Sequence, residues 1–382
     1  MDGLDFALPS LQGTCTGGTF GVHTDPASWM EALQRYRHDY YHLADYAFLC
    51  AGNEEAQAVA LEIHLPRASL FVPMLIRRLP EQLRAEGFDA YTPYGYSGPL
   101  VAAEDAAAVP SAVYDGLAGV RDALRELGVC SLFIRWHPLL TPMPERLPDG
   151  VSACLHQEIV VIDLSKPDDV RWQEVRRNHR QNIERLRKEG YCAVFDDSAA
   201  AITTFAGMYR RTMQRVCAAD YYYFSEDYII QLMRVRGAES RLCLVMRGGE
   251  AVCGGLFVAS EGTLACHLSA TESAFLPHSP AKLMFWAASC WGRQQGLTKL
   301  NIGGGVGGRT DSPLFRFKQG FSPDRRFFDA LGVVCDVSRY ADLCDRARRL
   351  DDVAEPSGFS AAYFPAYSFL RSRLAPPMRG AA

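Results

Sequence analysis

The sequence predicts an α/β protein with mixed sheets, made of two halves that repeat one programme of elements. Three observations support this. Helical spacing at Trp29–Tyr36 leads into Asp39-Tyr40-Tyr41-His42 and Asp45-Tyr46; helical spacing at Phe205–Arg215 leads into Asp220-Tyr221-Tyr222-Tyr223 and Asp227-Tyr228. A strand, a turn and a strand are then expected in each half, at Ala47–Cys50 with Ala58–His64 and at Leu242–Met246 with Ala251–Val258, the second pair around Arg247-Gly248-Gly249-Glu250. Each half closes with a helix, a terminal glycine and an apolar strand, the kind of self-similarity that marks an internal repeat.

Taken in order, Pro110 and Ser111 open a helix with apolar positions Leu117, Val120, Leu124 and Leu127, ended by Gly128 before a strand at Val129–Trp136. In the second half Ser279-Pro280 offers an N-cap and a proline at the first helical position. Leu283, Trp286, Ala287, Cys290 and Trp291 then share one face, Gly296 stops the helix, and Leu297–Ile302 reads as a strand. The pattern breaks at Asp163–Val170, where Lys166-Pro167-Asp168-Asp169 reads as a linker. The expected division is residues 1–165, completed by 330–382, and residues 166–329. Beyond Gly320 come Phe327-Phe328, a strand at Leu331–Val334 and a charged helix from Ser338 to Asp352; Ala354–Ala382 is expected to pack back on the first half.

Composition narrows the function classes. At 382 residues, 48% hydrophobic and 22% charged, the chain is ordinary globular protein, which excludes wholesale disorder, collagen-like and coiled-coil readings. Forty Lys+Arg against 44 Asp+Glu excludes a polybasic binder but leaves room for a local basic surface. No apolar run approaches the ~18 residues that span a bilayer, and Met1–Thr14, with Asp2 and Asp5, lacks a signal-peptide profile, so a soluble, cytoplasmic protein is expected. The twelve cysteines include no C-x-x-C pair and read as reduced thiols rather than zinc ligands or disulfides.

Four segments could carry chemistry. Gly303-Gly304-Gly305-Val306-Gly307-Gly308 follows a strand and formally fits G-x-G-x-x-G, but the polar stretch after it and the short remaining chain argue against a dinucleotide fold. A backbone that turns sharply or meets a ligand is the better reading. Next, Leu314-Phe315-Arg316-Phe317-Lys318-Gln319-Gly320-Phe321 alternates aromatics and cations. Either Phe315 and Phe317 are buried with Arg316 and Lys318 solvated, or Lys318 meets a substrate carbonyl, where an ammonium stabilises an oxyanion. The Arg171–Tyr191 stretch, with Arg176, Arg177, Arg180, Arg185, Arg187 and Lys188, is a solvated helix face or a phosphate-contacting one. Arg211 and Arg215, one helical turn apart before the tyrosine run, suit phosphate or carboxylate recognition, or surface ion pairs. In the first half, Tyr91-Thr92-Pro93-Tyr94-Gly95-Tyr96-Ser97-Gly98-Pro99 lines a pocket or covers the core. There is no H-E-x-x-H, no P-loop, no G-x-S-x-G and no Q/R-x-x-G-x-G/A pyrophosphate loop.

Several of these pieces, in this order and spacing, resemble the Fem family, tandem acetyltransferase-fold enzymes that transfer amino acids from aminoacyl-tRNA to an amine. They are the Tyr94-Gly95-Tyr96-Ser97-Gly98-Pro99 loop, the Asn178-His179-Arg180-Gln181-Asn182-Ile183 helix, and Tyr209…Thr212…Arg215 followed by Tyr222-Tyr223. The most specific is the run from Ile302 through the glycines to Phe321. Together they cover most of residues 25–335. The resemblance implies two tandem GNAT-like acyltransferase subdomains, the last segment returning to the first. It implies Lys318 at the reaction centre and Arg215 holding the acceptor, with Tyr94, Tyr96, Arg211, Tyr222, Tyr223, Arg316 and Phe317 as further substrate contacts. Arg176, Arg177, Arg180, Arg187 and Lys188 would then face the tRNA. The long heptad insertion of some cell-wall members is missing, and the first-half loop with Tyr40-Tyr41-His42 is similar to relatives in antibiotic pathways.

The expected reaction is aminolysis of an ester that is already activated, so no metal and no cofactor beyond the aminoacyl-tRNA co-substrate is needed. The acceptor is a small-molecule or peptide amine, and a monomer is expected. Deprotonating that amine falls to His267 or to a ribose hydroxyl of the tRNA; the sequence leaves both open. The alternatives are an acyl-CoA-dependent N-acyltransferase of the same fold and a non-catalytic binding module.

Overall fold

The computed structural model describes residues 11–305, 309–353 and 364–368. Contacts divide the chain into two compact units, Met1–His156 with Phe328–Pro376, and Gln157–Phe327 with Pro377–Ala382.

Unit 1 runs through β1 (Gln12–Cys15), β2 (Gly18–His23), α1 (Pro26–Leu33), α2 (Ala44–Glu54), β3 (Gln57–Leu65), β4 (Ala68–Arg78), β5 (Phe88–Tyr91), β6 (Leu100–Ala103), α3 (Val109–Glu126) and β7 (Val129–Arg135). The chain leaves it within β8 (Val151–Asp163). Unit 2 holds α4 (Asp168–Glu174), α5 (Arg177–Lys188), β9 (Cys192–Phe195), α6 (Ala199–Arg215), α7 (Glu226–Leu232), β10 (Glu239–Arg247), β11 (Glu250–Ser260), β12 (Thr263–Thr271), α8 (Ala281–Gln294), β13 (Lys299–Gly304) and α9 (Pro313–Lys318). The chain returns to unit 1 in β14 (Arg325–Val334) and α10 (Val337–Val353).

The two units share one topology. In unit 1, β2 to β5 form an antiparallel run, α3 crosses over, β7 lies parallel to β5, and β14 pairs antiparallel with β7. In unit 2, β9 to β12 form the antiparallel run, α8 crosses over, β13 lies parallel to β12, and β8 pairs antiparallel with β13. A parallel neighbour needs a crossover of this kind, which is why a single long helix stands at the same place in both. The final strand comes from the returning chain in unit 1 and from the incoming chain in unit 2.

The core of unit 2 has two faces. Adjacent glycines on β11 separate them: a Cβ on Gly254 would meet Phe205 of α6, whereas one on Gly255 would meet Met284 of α8. The α5/α8 face buries Ile183, Leu186, Leu264, Leu283, Met284, Trp286, Leu300, Phe315 and Phe321 in one cluster. Arg171 is buried against it. Its Nη1 donates to Ser289 Oγ at 2.7 Å, Nη2 to Asp168 Oδ1 at 2.6 Å and Nε to the Lys166 carbonyl at 3.2 Å, with the guanidinium 5.4 Å from the Trp286 ring.

Four expectations are corrected. Ala47–Cys50 is not a strand but lies inside α2; a short apolar run carries no period, and here the first hairpin is β3–β4. Ser279 does not cap α8: it sits at φ 54° and its hydroxyl donates to the Leu276 carbonyl. Asp163–Val170 is only partly linker, since Asp168 begins α4. Phe315 to Lys318 do not alternate as a strand would. Ser312 caps the Phe315 amide and Pro313 starts a helix, so Phe315 and Lys318, three apart, share a side. Most of the segment expected to pack back on the first half lies outside the described residues; within 364–368, Tyr367 is fully buried and its hydroxyl meets Ser131 Oγ at 2.7 Å.

Arg171→Ala should lower the urea-unfolding free energy by about 3 kcal/mol, the cost of breaking a buried charge network. Arg171→Met should recover part of that loss. Methionine refills the volume, and Asp168, half exposed, can turn to water.

Candidate active site

In unit 2 the glycine run is a docking strip for a lysine. Gly303 and Gly304 finish β13; Gly303 takes φ 74° and its amide donates to Asn301 Oδ1 at 2.8 Å. A Cβ on Gly304 would come within 2.7 Å of the Glu158 carbonyl, and one on Gly305 within 2.3 Å of Ser312 Oγ. Glycine is therefore required where α9 closes on the strand. Val306–Gly308 lie outside the described residues. Lys318, in the last turn of α9, donates from Nζ to the Gly304 carbonyl at 2.9 Å. The side chain is half-buried, and no carboxylate among the described residues pairs with it. Burial lowers its pKa to about 8, and the nearby Cys266 thiol works weakly the other way. That thiol is itself pushed up to about 12 by burial, so at neutral pH it is uncharged and no ion pair forms. A poorly solvated ammonium with one hydrogen bond to a carbonyl has donor capacity left for an oxyanion.

The turn after α9 is tied to α5. The Arg176 amide donates to the Gly320 carbonyl at 2.8 Å, and His179 Nε2 lies 3.0 Å from the Phe317 carbonyl. His179 is buried, its pKa brought down to about 4 by burial. Phe317 is half-buried against His179, Phe285 and Phe321, while Arg316 is exposed. Arg176, just before α5, and Arg177, Arg187 and Lys188 on it are exposed with no carboxylate partner among the described residues. Arg180 is half-buried, its Nη1 donating to the Trp172 and Gln173 carbonyls, and Arg185 lies 3.8 Å from Glu189.

His267 lies elsewhere. It is buried on β12, hydrogen-bonded to the Tyr228 hydroxyl at 2.9 Å and ringed by Phe224, with burial lowering its pKa to about 3. Tyr228 belongs to α7, which packs with α6, whereas Cys266 packs into the α5/α8 cluster beside Lys318. The sheet stands between the two candidates, so the structure does not bring His267 to Lys318. Arg211 and Arg215 do share a face. Arg211 pairs with Glu272 at 2.5 Å, and Arg215 Nη1 donates to the Thr271 carbonyl and Ser273 Oγ, both at 3.0 Å. Tyr222 and Tyr223 are partly exposed beside them, anchored where Tyr209 donates to the Tyr222 carbonyl at 2.8 Å.

In unit 1 the Tyr94–Pro99 loop is held from beneath. His42 Nε2 donates to the Gly98 carbonyl at 3.0 Å and the Tyr46 hydroxyl to the Tyr94 carbonyl at 2.9 Å. Gly95 takes φ 95°, and a Cβ there would strike the Tyr41 ring. Tyr96 packs edge-on against Tyr41 and Phe328. The buried Asp39–His137 pair beside it, 3.1 Å apart, resembles a catalytic dyad. His137 Nδ1, however, accepts the Leu139 amide, so both ring nitrogens are used and the pair is a brace.

Residues 173–318 match the family model described as an acetyltransferase (GNAT) domain. Unit 2 is therefore a GNAT-type acyltransferase domain, and the repeated topology makes the fold that of two tandem GNAT-like subdomains. Among solved structures, the chain is similar to FemX, with 13% identity over 80% of this chain and 96% of that one and a TM-score of 0.59. It is also similar to a conserved protein of unknown function from Bacteroides thetaiotaomicron, with 9% identity over 82% and 99% and a TM-score of 0.52. At these identities the likeness is one of fold. No curated protein matches the sequence.

His179 escaped the site reading of the sequence, although its spacing with Ile183 and Leu186 marks it as the polar member of an apolar face. With His179 and His267 both depressed below the ordinary histidine value of about 6.5, the unfolded chain binds more protons than the folded one between about pH 6.5 and 4. Stability should be full above pH 6.5 and fall as the pH is lowered through that window. In thermal melts, His179→Gln should flatten the fall.

Proposed function

We propose that the protein is an aminoacyl-tRNA-dependent aminoacyltransferase. It joins a tRNA-borne amino acid to the amine of a small-molecule or peptide acceptor, in natural-product biosynthesis, with no cofactor beyond the aminoacyl-tRNA and as a cytoplasmic monomer. The observation that carries this reading is the Lys318 ammonium, held at the Gly304 carbonyl one short turn from a helix on which Arg177, Arg187 and Lys188 are exposed with no carboxylate partner among the described residues. An oxyanion donor thus stands beside a surface suited to phosphates. The Fem-like order of motifs, and the fold shared with FemX, point the same way.

In the proposed step the acceptor amine attacks the ester carbonyl, the C–N bond forms and the C–O bond to ribose breaks. Lys318 donates to the oxyanion, and the amine proton passes through a ribose hydroxyl to the leaving ribose oxygen. The placement of His267 across the sheet speaks against its acting as the base. Arg316 and Phe317, beside Lys318 on α9, are assigned to the ester; Arg211, Arg215, Tyr222 and Tyr223 share the α6/α7 face with His267 and are assigned to parts of the acceptor away from its reacting amine, and Tyr94 and Tyr96 of unit 1 are a separate acceptor assignment. Arg176, Arg177, Arg187 and Lys188 are assigned to tRNA phosphates, with Arg180 fixing the helix that presents them.

An acyl-CoA donor is the less favoured reading. A CoA pyrophosphate would need free amides at a helix N-terminus. At α8 the Lys282 amide donates to Ser279, and the Leu283 and Met284 amides to Pro280. Pro280 has no N–H.

Lys318→Ala should remain folded and lose about 10²–10³ in kcat, the usual cost of one oxyanion donor, with little change in KM. In the wild type, kcat should fall above about pH 8 as the ammonium is lost; in a partly active Lys318→Arg enzyme that limb should vanish. Charge reversal at Arg177 or Lys188 should instead raise KM for aminoacyl-tRNA and reduce the salt dependence of binding. Wild-type kcat in Lys318→Ala would overturn the role given to this lysine.

A further inference from the structure

The α9 helix that carries Lys318 is six residues long, too short to hold its own geometry, and it follows a glycine run. Something outside it must fix the angle at which the ammonium is offered. The Gly304 carbonyl accepts the ammonium itself, so it holds the tip rather than the backbone. The backbone after Phe317 is held by α5. His179 Nε2 reaches the Phe317 carbonyl at 3.0 Å, and the Gly320 amide reaches the same oxygen at 3.0 Å. The imidazole also packs edge-on against Phe321, with ring centres 5.0 Å apart, and tilted against Phe317 at 5.5 Å. It lies so close beneath the turn that a Cβ on Gly320 would come within 2.3 Å of Nε2. The fit thus involves both partners: a glycine that leaves the space and a buried histidine that fills it.

We propose that His179 is a positioning residue for Lys318, a neutral imidazole whose Nε2–H clamps the Phe317 carbonyl and sets where the ammonium stands. The inference rests on the proposed role of Lys318 in transfer, and extends it to a residue that touches neither substrate. Burial keeps the ring neutral at physiological pH, so with the single N–H on Nε2 the bare Nδ1 accepts from the Asn178 side-chain amide 3.0 Å away, whose NH2 rather than its oxygen must then face the ring. The clamp lies within the same helix that presents Arg177, Arg187 and Lys188, with Arg176 at its N-cap. The surface assigned to phosphates and the residue assigned to chemistry are therefore linked through one hydrogen bond and the Arg176 amide.

Two variants test this in the full-length protein. His179→Phe keeps the packing and loses the donor; His179→Gln restores a side-chain N–H. The first readout needs no substrate: acetic anhydride labelling of Lys318 across pH, followed by mass spectrometry of its peptide. In the wild type, labelling should rise with a midpoint near pH 8. In His179→Phe the turn loosens, the ammonium gains water, and the midpoint should move up towards the ordinary lysine value; His179→Gln should move it back. The second readout is kcat, expected to fall about tenfold in His179→Phe with KM for the acceptor within twofold. An unchanged labelling profile in a folded His179→Phe protein would overturn the inference while leaving the reading of Lys318 intact. A shifted profile with unchanged kcat would uphold the clamp and instead overturn the catalytic role of Lys318.

Discussion

The hydrogen bond from Lys318 Nζ to the Gly304 carbonyl is the contact around which the second unit is arranged. It needs a carbonyl at the end of β13, and the bulge between Asn301 and Gly303 provides the change in backbone direction there. It needs glycine at 304 and 305, because any side chain there would collide with Glu158 or Ser312. It needs α9 to turn as a helix so that Lys318 comes round to the side where Phe315 is buried. Each requirement is local, but together they place a cation where water is scarce, and scarcity of water strengthens an ammonium as an oxyanion donor.

The same arrangement separates jobs between helices. Arg171 and α8 supply rigidity, through a buried guanidinium network and a tryptophan-rich face. The α5 helix supplies both an exposed cationic surface and, on its buried side, the histidine that grips the turn after Lys318. On the other face of the sheet, α6 and α7 hold Arg211, Arg215 and the tyrosine run against Thr271 to Ser273. In unit 1 the corresponding crossover is kept, but its loop is braced by His42, Tyr46 and the Asp39–His137 pair, none of which has a free reactive atom towards the others. One unit thus carries a lysine at a glycine strip and the other an aromatic loop.

Much of the fold was legible because its signals are periodic: the helix at Leu283–Trp291 and the hairpin around Gly248-Gly249 needed no tertiary information. Ala47–Cys50 failed because four apolar residues fit a strand or a helix equally, and the α2 register was decided by Tyr46 and Leu49 packing inward. Lys318 could be singled out from its neighbours, but its depth could not, since an i, i+2 reading of Phe315 and Phe317 turned it towards solvent. His179 and the Gly304 carbonyl were invisible for simpler reasons. His179 meets α9 across 138 residues, a distance no spacing rule spans; the Gly304 carbonyl is only 14 residues from Lys318, but a backbone acceptor leaves no mark in a side-chain pattern. His267 shows the converse: it looked available in sequence, yet β12 carries it to the face opposite Cys266.

The proposed acyl donor is a charged tRNA. The most direct measurement is single-turnover transfer from a pool of tRNA charged with labelled amino acids to a mixture of small-molecule and peptide amines. The expected result is protein-dependent movement of label into an alkali-stable amide, lost when the charged tRNA is digested with RNase beforehand. Label that stays on the tRNA, together with transfer of an acyl group from coenzyme A thioesters to the same amines, would contradict it.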